Sequence, residues 1–411
     1  MRVLVVTPWF PSAAHPVSGL FNQRDAQLIA RDHDVRVLHL IRPDWYEAED
    51  ARAVVAGSGG AAGIAVARVP FSASDPRTWA RAAAAIRTGL RGSGQGGSGA
   101  RGSASGGAGQ GGSGGRGSAS GGSGQIGPEQ RPADLLHTMA FPALLPFAAR
   151  PVRVPWVHTE HFSTLVTPVS RPVAAALSVL GRLFRRPDEV VAVSAALAAV
   201  IDRYRGRKRP ASVIGNAVML PVGPVPDEHD FGGRLRLIGV GGIVARKGPV
   251  EAVDTLVELV RRGVDAELVW AGDGELREQM LERARLGGVV DRLALLGPVA
   301  PERLSRELLE SDVFLLPVET ETFGVAIAEA LVHGLPVVTS GTGGHEEFLD
   351  RRSSRRVDER SGAVLADAVQ ALIADPELPS RRAIADAAAS RFSEDARAEA
   401  YRRVYARATQ R

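Results

Sequence analysis

Val313-Phe314-Leu315-Leu316-Pro317, then Glu321-Thr322-Phe323-Gly324-Val325-Ala326-Ile327-Ala328-Glu329, then Gly334-Leu335-Pro336-Val337-Val338, is the stretch that decides the fold. Its apolar runs and glycine breaks read as strand, helix, strand. Two carboxylates stand eight positions apart inside it. Eight residues of helix rise roughly 12 Å and end some 80° off the starting face. One straight helix therefore does not aim both carboxylates the same way. Glu321 is expected in the loop before the helix and Glu329 within it. The helix N-terminus near Thr322 to Gly324 would offer free N–H groups and a positive dipole end to a phosphate. The competing reading is two solvated glutamates on an amphipathic helix.

The same alternation runs outward in both directions and argues an α/β protein built on parallel sheets. Toward the N-terminus, strands are expected at residues 3–7, 34–40, 134–137, 154–158 and 190–193, with helices at 22–31 and 78–91. In the second half, strands are expected at 235–240, 266–270, 293–296, 313–317 and 336–339, and helices at 249–262, 276–286, 301–309 and 325–333. This order gives two doubly wound halves joined near Gly215 to Phe231, a stretch rich in Pro and Gly. A chain of 411 residues exceeds one ordinary core, so two domains are the prior.

Composition narrows the class. Hydrophobic residues make up 45% and charged residues 23%, which suits a globular chain. With no cysteine there is neither a disulfide framework nor a thiolate metal site or nucleophile, and a reducing cytoplasm fits. The apolar run at Met1–Phe10 is too short for a signal peptide or membrane span and reads as a buried first strand. Charge is uneven: residues 1–205 carry a net +8, residues 206–411 a net −4. A basic first half suits an anionic membrane surface or an anionic acceptor. Aromatics at 5%, with no aromatic-plus-basic motif, argue against nucleic acid.

Residues 92–127 belong to neither half. They hold 18 glycines in 36 residues, and Gly94–Gly109 recurs as Gly109–Gly124. Such a segment cannot bury enough apolar surface to order itself and is expected to be a disordered Gly/Ser-rich insertion. Loop entropy grows by only about 0.6 kcal/mol per doubling of length, so the fold can carry it.

The Glu-x7-Glu element and its flanking strands resemble those of the retaining glycosyltransferases of family 4, and most of residues 1–349 outside the insertion follows that family. The resemblance implies a GT-B architecture: two Rossmann-like parallel-sheet domains facing a cleft. Residues 1–215 would form the acceptor-binding domain and residues 216–391 the nucleotide-sugar-binding domain. Residues 392–411 would be a terminal helix crossing back to the first. Glu321 would face the donor sugar, Phe323 and Gly324 would line the donor, and Glu329 would hold its ribose. Gly19, in Ser18-Gly19-Leu20-Phe21, is similar to the family's glycine loop. Pro155-Trp156-Val157-His158-Thr159-Glu160-His161 resembles the strand end with a histidine beside the reaction centre, assigned to His161, with His158 as alternative. Ala245-Arg246-Lys247-Gly248 is similar to the phosphate clamp; the family's preceding arginine is Gly242 here, and Arg246 could supply the second charge. Lys247 stands out on composition alone, as one of two lysines among 48 arginines. A compact ammonium suits a point contact to a diphosphate. Gly274 and the pair Gly343-Gly344 resemble glycine turns facing the donor.

The resemblance thus implies a metal-independent hexosyltransferase that retains anomeric configuration. His161, Glu321 and Lys247 would serve the reaction, and no cofactor is needed beyond the nucleoside diphosphate sugar. Asp32-His33-Asp34 is similar to a metal motif but reads as a turn before a strand. The expected partners are the donor and a polysaccharide or glycolipid precursor, at a cytoplasmic site that allows peripheral contact with the inner face of the plasma membrane. A nucleotide-sugar epimerase on a similar fold and a non-catalytic nucleotide-sugar binder are the rivals, the latter kept open by Gly242.

Overall fold

The structure is a computed structural model, and it describes residues 1–16, 18–48, 51–55, 63–91, 132–148, 151–167, 169–206 and 209–410. The Gly/Ser-rich insertion and Lys208 lie outside the described residues.

The first half winds around an eight-stranded sheet ordered β3-β4-β2-β1-β5-β6-β7-β8. Its strands are β1 (Arg2–Thr7), β2 (Asp34–Ile41), β3 (Arg52–Val55), β4 (Ile64–Pro70), β5 (Leu135–Met139), β6 (Trp156–Glu160), β7 (Glu189–Ala192) and β8 (Ser212–Val213). Every pairing is parallel except β3 with β4. A second, six-stranded sheet runs in the order β11-β10-β9-β12-β14-β16. It comprises β9 (Leu235–Val240), β10 (Ala266–Ala271), β11 (Leu293–Gly297), β12 (Val313–Leu316), β14 (Val337–Ser340) and β16 (Ser354–Val357). The short pair β13 (Thr320–Glu321) and β15 (Thr342–Gly343) stands apart from it. In both sheets the order reverses direction beside the first strand, β1 or β9, the topology of two doubly wound halves.

The central strands are continuous apolar runs because helices cover both of their faces. Val3, Val5 and Val6 are fully buried, as are Val313 through Leu316. The helices are α1 (Leu20–Ala30), α2 (Pro76–Arg91), α3 (Arg171–Leu180), α4 (Ala195–Arg205), α5 (Pro249–Arg261), α6 (Arg277–Leu286), α7 (Pro301–Leu309), α8 (Val325–Val332), α9 (Gly362–Ile373), α10 (Arg381–Arg391) and α11 (Glu394–Thr409). Local chemistry sets their starts. Pro76 opens α2, where a missing N–H costs nothing. Ser194 caps α4 by accepting the Leu197 N–H at 3.2 Å. Asp32 sits in a turn, as expected, with Oδ2 accepting from Arg402 at 2.8 Å.

The β3–β4 hairpin is absent from the sequence reading. β4 buries alternate residues, and the alanines at 65 and 67 on its other face give a weak period-two signal. Helices α3, α9 and α10 and strand β16 are likewise additions from the structure. Helix α11 follows directly on the second sheet's last helix yet packs on the first sheet, where Tyr401 and Tyr405 are buried with Val5, Val157 and Val191.

Candidate active site

Strands β1, β6, β9 and β12 end on a common cleft of about 530 Å³, and the loops after them supply its walls. Carboxyl ends of parallel strands are where open α/β sheets bind ligands. Trp9, Ser18, Gly19, Phe21, His161 and Phe162 come from the first half; Gly241, Arg246, Lys247, Glu321, Gly324 and Glu329 come from the second.

Each wall has a local cause. Gly19 has φ 72°, and a side chain there would overlap the Trp9 carbonyl, so the turn before α1 requires glycine. Gly248 has φ 68° and lies against the Pro317 carbonyl, which lets the Ala245–Lys247 turn fold down beside β12. The Arg246 carbonyl accepts the Glu319 N–H at 2.9 Å, tying this turn to the segment that leads into Glu321. Glu321 therefore sits in β13, before the helix, and Glu329 sits within α8, as the angular argument requires.

Lys247 Nζ hydrogen-bonds Glu321 Oε1 in a largely buried ion pair, and Arg246 Nη1 stands 3.8 Å from the same oxygen. Two cations and one carboxylate thus meet at one point of the cleft. The 41% exposure of the Arg246 side chain leaves it accessible to a ligand. Glu329 Oε1 accepts from Arg24 Nη1 at 3.0 Å and from the Met219 N–H at 3.2 Å. Burial pushes the Glu329 carboxyl above its ordinary value, with Arg24 pulling the other way.

His161 and His158 separate cleanly. His161 borders the cleft beside Phe21, their ring centroids 4.9 Å apart, and its Nε2 is 3.6 Å from Asp25 Oδ2. Burial lowers its pKa, with Asp25 opposing, so the ring is held toward its neutral form. His158 lies within the core, bonded to Thr138 Oγ1 at 2.9 Å and Glu160 Oε2 at 3.2 Å.

Three of the expected glycines do not border the cleft. A side chain on Gly274 would overlap the Ile243 carbonyl, one on Gly343 the Glu321 carbonyl, and one on Gly344 the Thr322 carbonyl. They let one loop pass close to another and so set the shape of the wall. The Gly343 amide in particular donates to Glu346 Oε2 at 2.8 Å and is not turned to a ligand. Phe323 borders the cleft, while its ring packs against Phe348 and Phe392, with centroids 5.2 and 6.0 Å away. Arg24, Asp25 and Asn216 went unnoticed in the sequence. Arg24 is 305 positions from its partner Glu329, and no local pattern marks such a pair.

The two facing doubly wound sheets with this cleft between them define the GT-B class. Solved structures agree on the fold: a sucrose-phosphate synthase from Thermosynechococcus elongatus superposes with a TM-score of 0.69 at 17% identity, over 99% of this chain and 100% of that one. The family pattern described as "Glycosyl transferases group 1" matches residues 234–375, and that described as "Glycosyltransferase Family 4" matches residues 128–220. A D-inositol 3-phosphate glycosyltransferase of Xylanimonas cellulosilytica is 31% identical over 288 residues, 63% of this chain and 67% of that protein. A GDP-mannose-dependent alpha-(1-6)-phosphatidylinositol dimannoside mannosyltransferase of Mycobacterium tuberculosis is 36% identical over 150 residues, 36% of this chain and only 38% of that protein's length. The chain belongs to the family 4, group 1 glycosyltransferases.

Proposed function

We propose that this chain transfers a hexosyl group from a nucleoside diphosphate sugar to a carbohydrate or lipid-linked hydroxyl, with retention of anomeric configuration. The observation that carries the reading is the meeting of Lys247, Arg246 and Glu321 at the cleft, on the turn after β9 and the segment before α8. In the reaction the bond from the anomeric carbon to the diphosphate oxygen breaks, and the bond to the acceptor oxygen forms on the same face. The acceptor proton passes to the departing phosphate oxygen. Negative charge grows on the diphosphate, and Lys247, Arg246 and the N–H groups at the start of α8 would stabilise it. Lys247 also bonds Glu321, so a bound diphosphate would compete with that carboxylate for it. His161, held toward neutrality, can hydrogen-bond a sugar hydroxyl. The second half would bind the donor and residues of the first half would present the acceptor. Residues 216–391 are the proposed extent of the donor domain, and α11 is its strap to the first.

One observation favours the second reading, a non-catalytic nucleotide-sugar binder. Gly242, where the family carries arginine, is exposed and leaves Lys247 with its charge largely answered by Glu321. The discriminating experiment incubates the protein with UDP-, GDP-, ADP- and dTDP-hexoses and follows release of nucleoside diphosphate and the anomeric configuration of the product by NMR. Turnover of one donor with an α-product, abolished by Glu321→Ala, supports transfer. Binding without release of sugar supports the second reading. A covalent glycosyl adduct on Glu321 would replace the same-face step with double displacement.

No helix among the described residues is long and apolar enough to cross a membrane. The proposed setting is the cytoplasm, with peripheral contact at the inner face of the plasma membrane.

A further inference from the structure

Helix α3 breaks the rule that a surface helix is polar on its outer face. Its sequence is Arg-Pro-Val-Ala-Ala-Ala-Leu-Ser-Val-Leu, with Arg171 and Ser178 its only polar side chains. None of the ten residues is buried, and Val173 and Val179 are 40% and 62% exposed. Leu177 and Leu180 lean on the core, so the opposite stripe, Pro172, Ala175, Ala176 and Val179, faces outward with no covering element among the described residues. Such a stripe costs stability in water unless something covers it.

The charges beside it say what does. Arg171 opens the helix, and the turn after it carries Arg182, Arg185 and Arg186, all exposed. Between His161 and Pro187 the sequence has no acidic residue. Arg185 Nε donates to the Tyr204 carbonyl at 2.5 Å, a neutral partner that leaves its charge unanswered. A short apolar helix bracketed by arginines matches the boundary of an anionic bilayer, acyl chains beneath the helix and phosphates at its ends. A second copy of this chain would bring the same arginines against one another. The helix also lies close to the chemistry, because the turn Ser163–Leu165 that precedes it begins at the cleft wall formed by Phe162 and Ser163.

We propose that α3 and its flanking arginines are the surface by which this chain docks on an anionic lipid bilayer, with the α3 side of the cleft turned to the membrane. The inference deepens the lipid-linked acceptor of the proposed function, but its test needs neither donor nor acceptor. Full-length protein is sedimented with vesicles of phosphatidylcholine alone and of phosphatidylcholine with about a quarter phosphatidylglycerol. Binding is expected to the anionic vesicles only. It should be lost as salt rises from about 0.1 M to about 1 M, which shortens the screening length from about 10 Å to about 3 Å. Val179→Asp should weaken binding by roughly tenfold or more. Arg182→Glu should weaken it and flatten the salt dependence. Both side chains are exposed, so circular dichroism and melting temperature should not change. Wild-type protein that ignores anionic vesicles, or variants that bind as wild type, would overturn the proposal. So would a dimer in light scattering that Val179→Asp dissolves while vesicles go unbound. Wild-type protein that transfers sugar but does not bind anionic vesicles would refute the docking alone; wild-type docking without transfer would refute the enzyme alone.

Discussion

Lys247 and Glu321 were legible from the chain because rarity and spacing are local properties. A lone lysine beside an arginine and a pair of carboxylates eight apart both survive without coordinates. Arg24 and Asp25 were not, since their partners, Glu329 for the one and His161 and Arg397 for the other, lie far along the chain. Gly242 offers a direct test at this scale. Its φ is not left-handed, and an added Cβ would have its nearest neighbour, the Asp273 carbonyl, at 3.7 Å. Gly242→Arg should therefore fold normally and add a cation beside Lys247. We expect it to tighten nucleoside diphosphate binding by about tenfold, or about 1.4 kcal/mol, measured by calorimetry. Unchanged affinity would mean that Arg246 already supplies the second positive charge.

Strands β9 to β12 and helices α5 to α8 stand within a residue or two of where the sequence puts them, because long apolar runs punctuated by glycine are strong signals. The antiparallel β3–β4 pair was missed because Ala65 and Ala67 stand where an alternating strand would carry polar residues, and its partner is set by pairing. The two-residue strands β13 and β15 had no sequence signal either, yet they hold Glu321 in place through its pairing with Gly343. Gly343→Ala forces a side chain onto φ 132° and against the Glu321 carbonyl. We expect a loss of about 1–3 kcal/mol in denaturant unfolding together with weakened nucleotide binding. A destabilised variant that still binds nucleotide as wild type would show that β13 does not position Glu321. Gly343 shapes the wall through its backbone fold, and its amide is taken by Glu346.

Across the molecule, α11 carries the last residues back to the first sheet, where Arg397 pairs with Asp25 while its Nε holds the Gly215 carbonyl at 2.8 Å. Both side chains of that pair are nearly fully buried. Arg397→Ala leaves the buried Asp25 carboxylate without its cation and should cost about 3–5 kcal/mol, read as a fall in the unfolding midpoint; a loss below about 1 kcal/mol would show that the strap is dispensable. A second global property follows from buried imidazoles. Burial pushes His39 and His137 down to about 3 from the ordinary 6.5. Unfolding then takes up protons below about pH 6.5, so stability is full above that value and falls as pH drops toward about 3. Each histidine should add a slope of up to about 1.4 kcal/mol per pH unit, checked by denaturant titrations across that range; a flat profile would contradict the buried neutral rings.

Nucleotide binding tests the central claim most directly. Thermal unfolding of the wild type and Lys247→Ala should be followed with UDP, GDP, ADP and dTDP. At about 100 times its dissociation constant, a ligand adds about 2.7 kcal/mol to stability. One nucleotide should raise the melting temperature of the wild type and leave Lys247→Ala unmoved, which would identify the donor base and place the diphosphate on the Lys247 turn. No shift with any of the four, or an equal shift in the variant, would contradict a diphosphate site in this cleft.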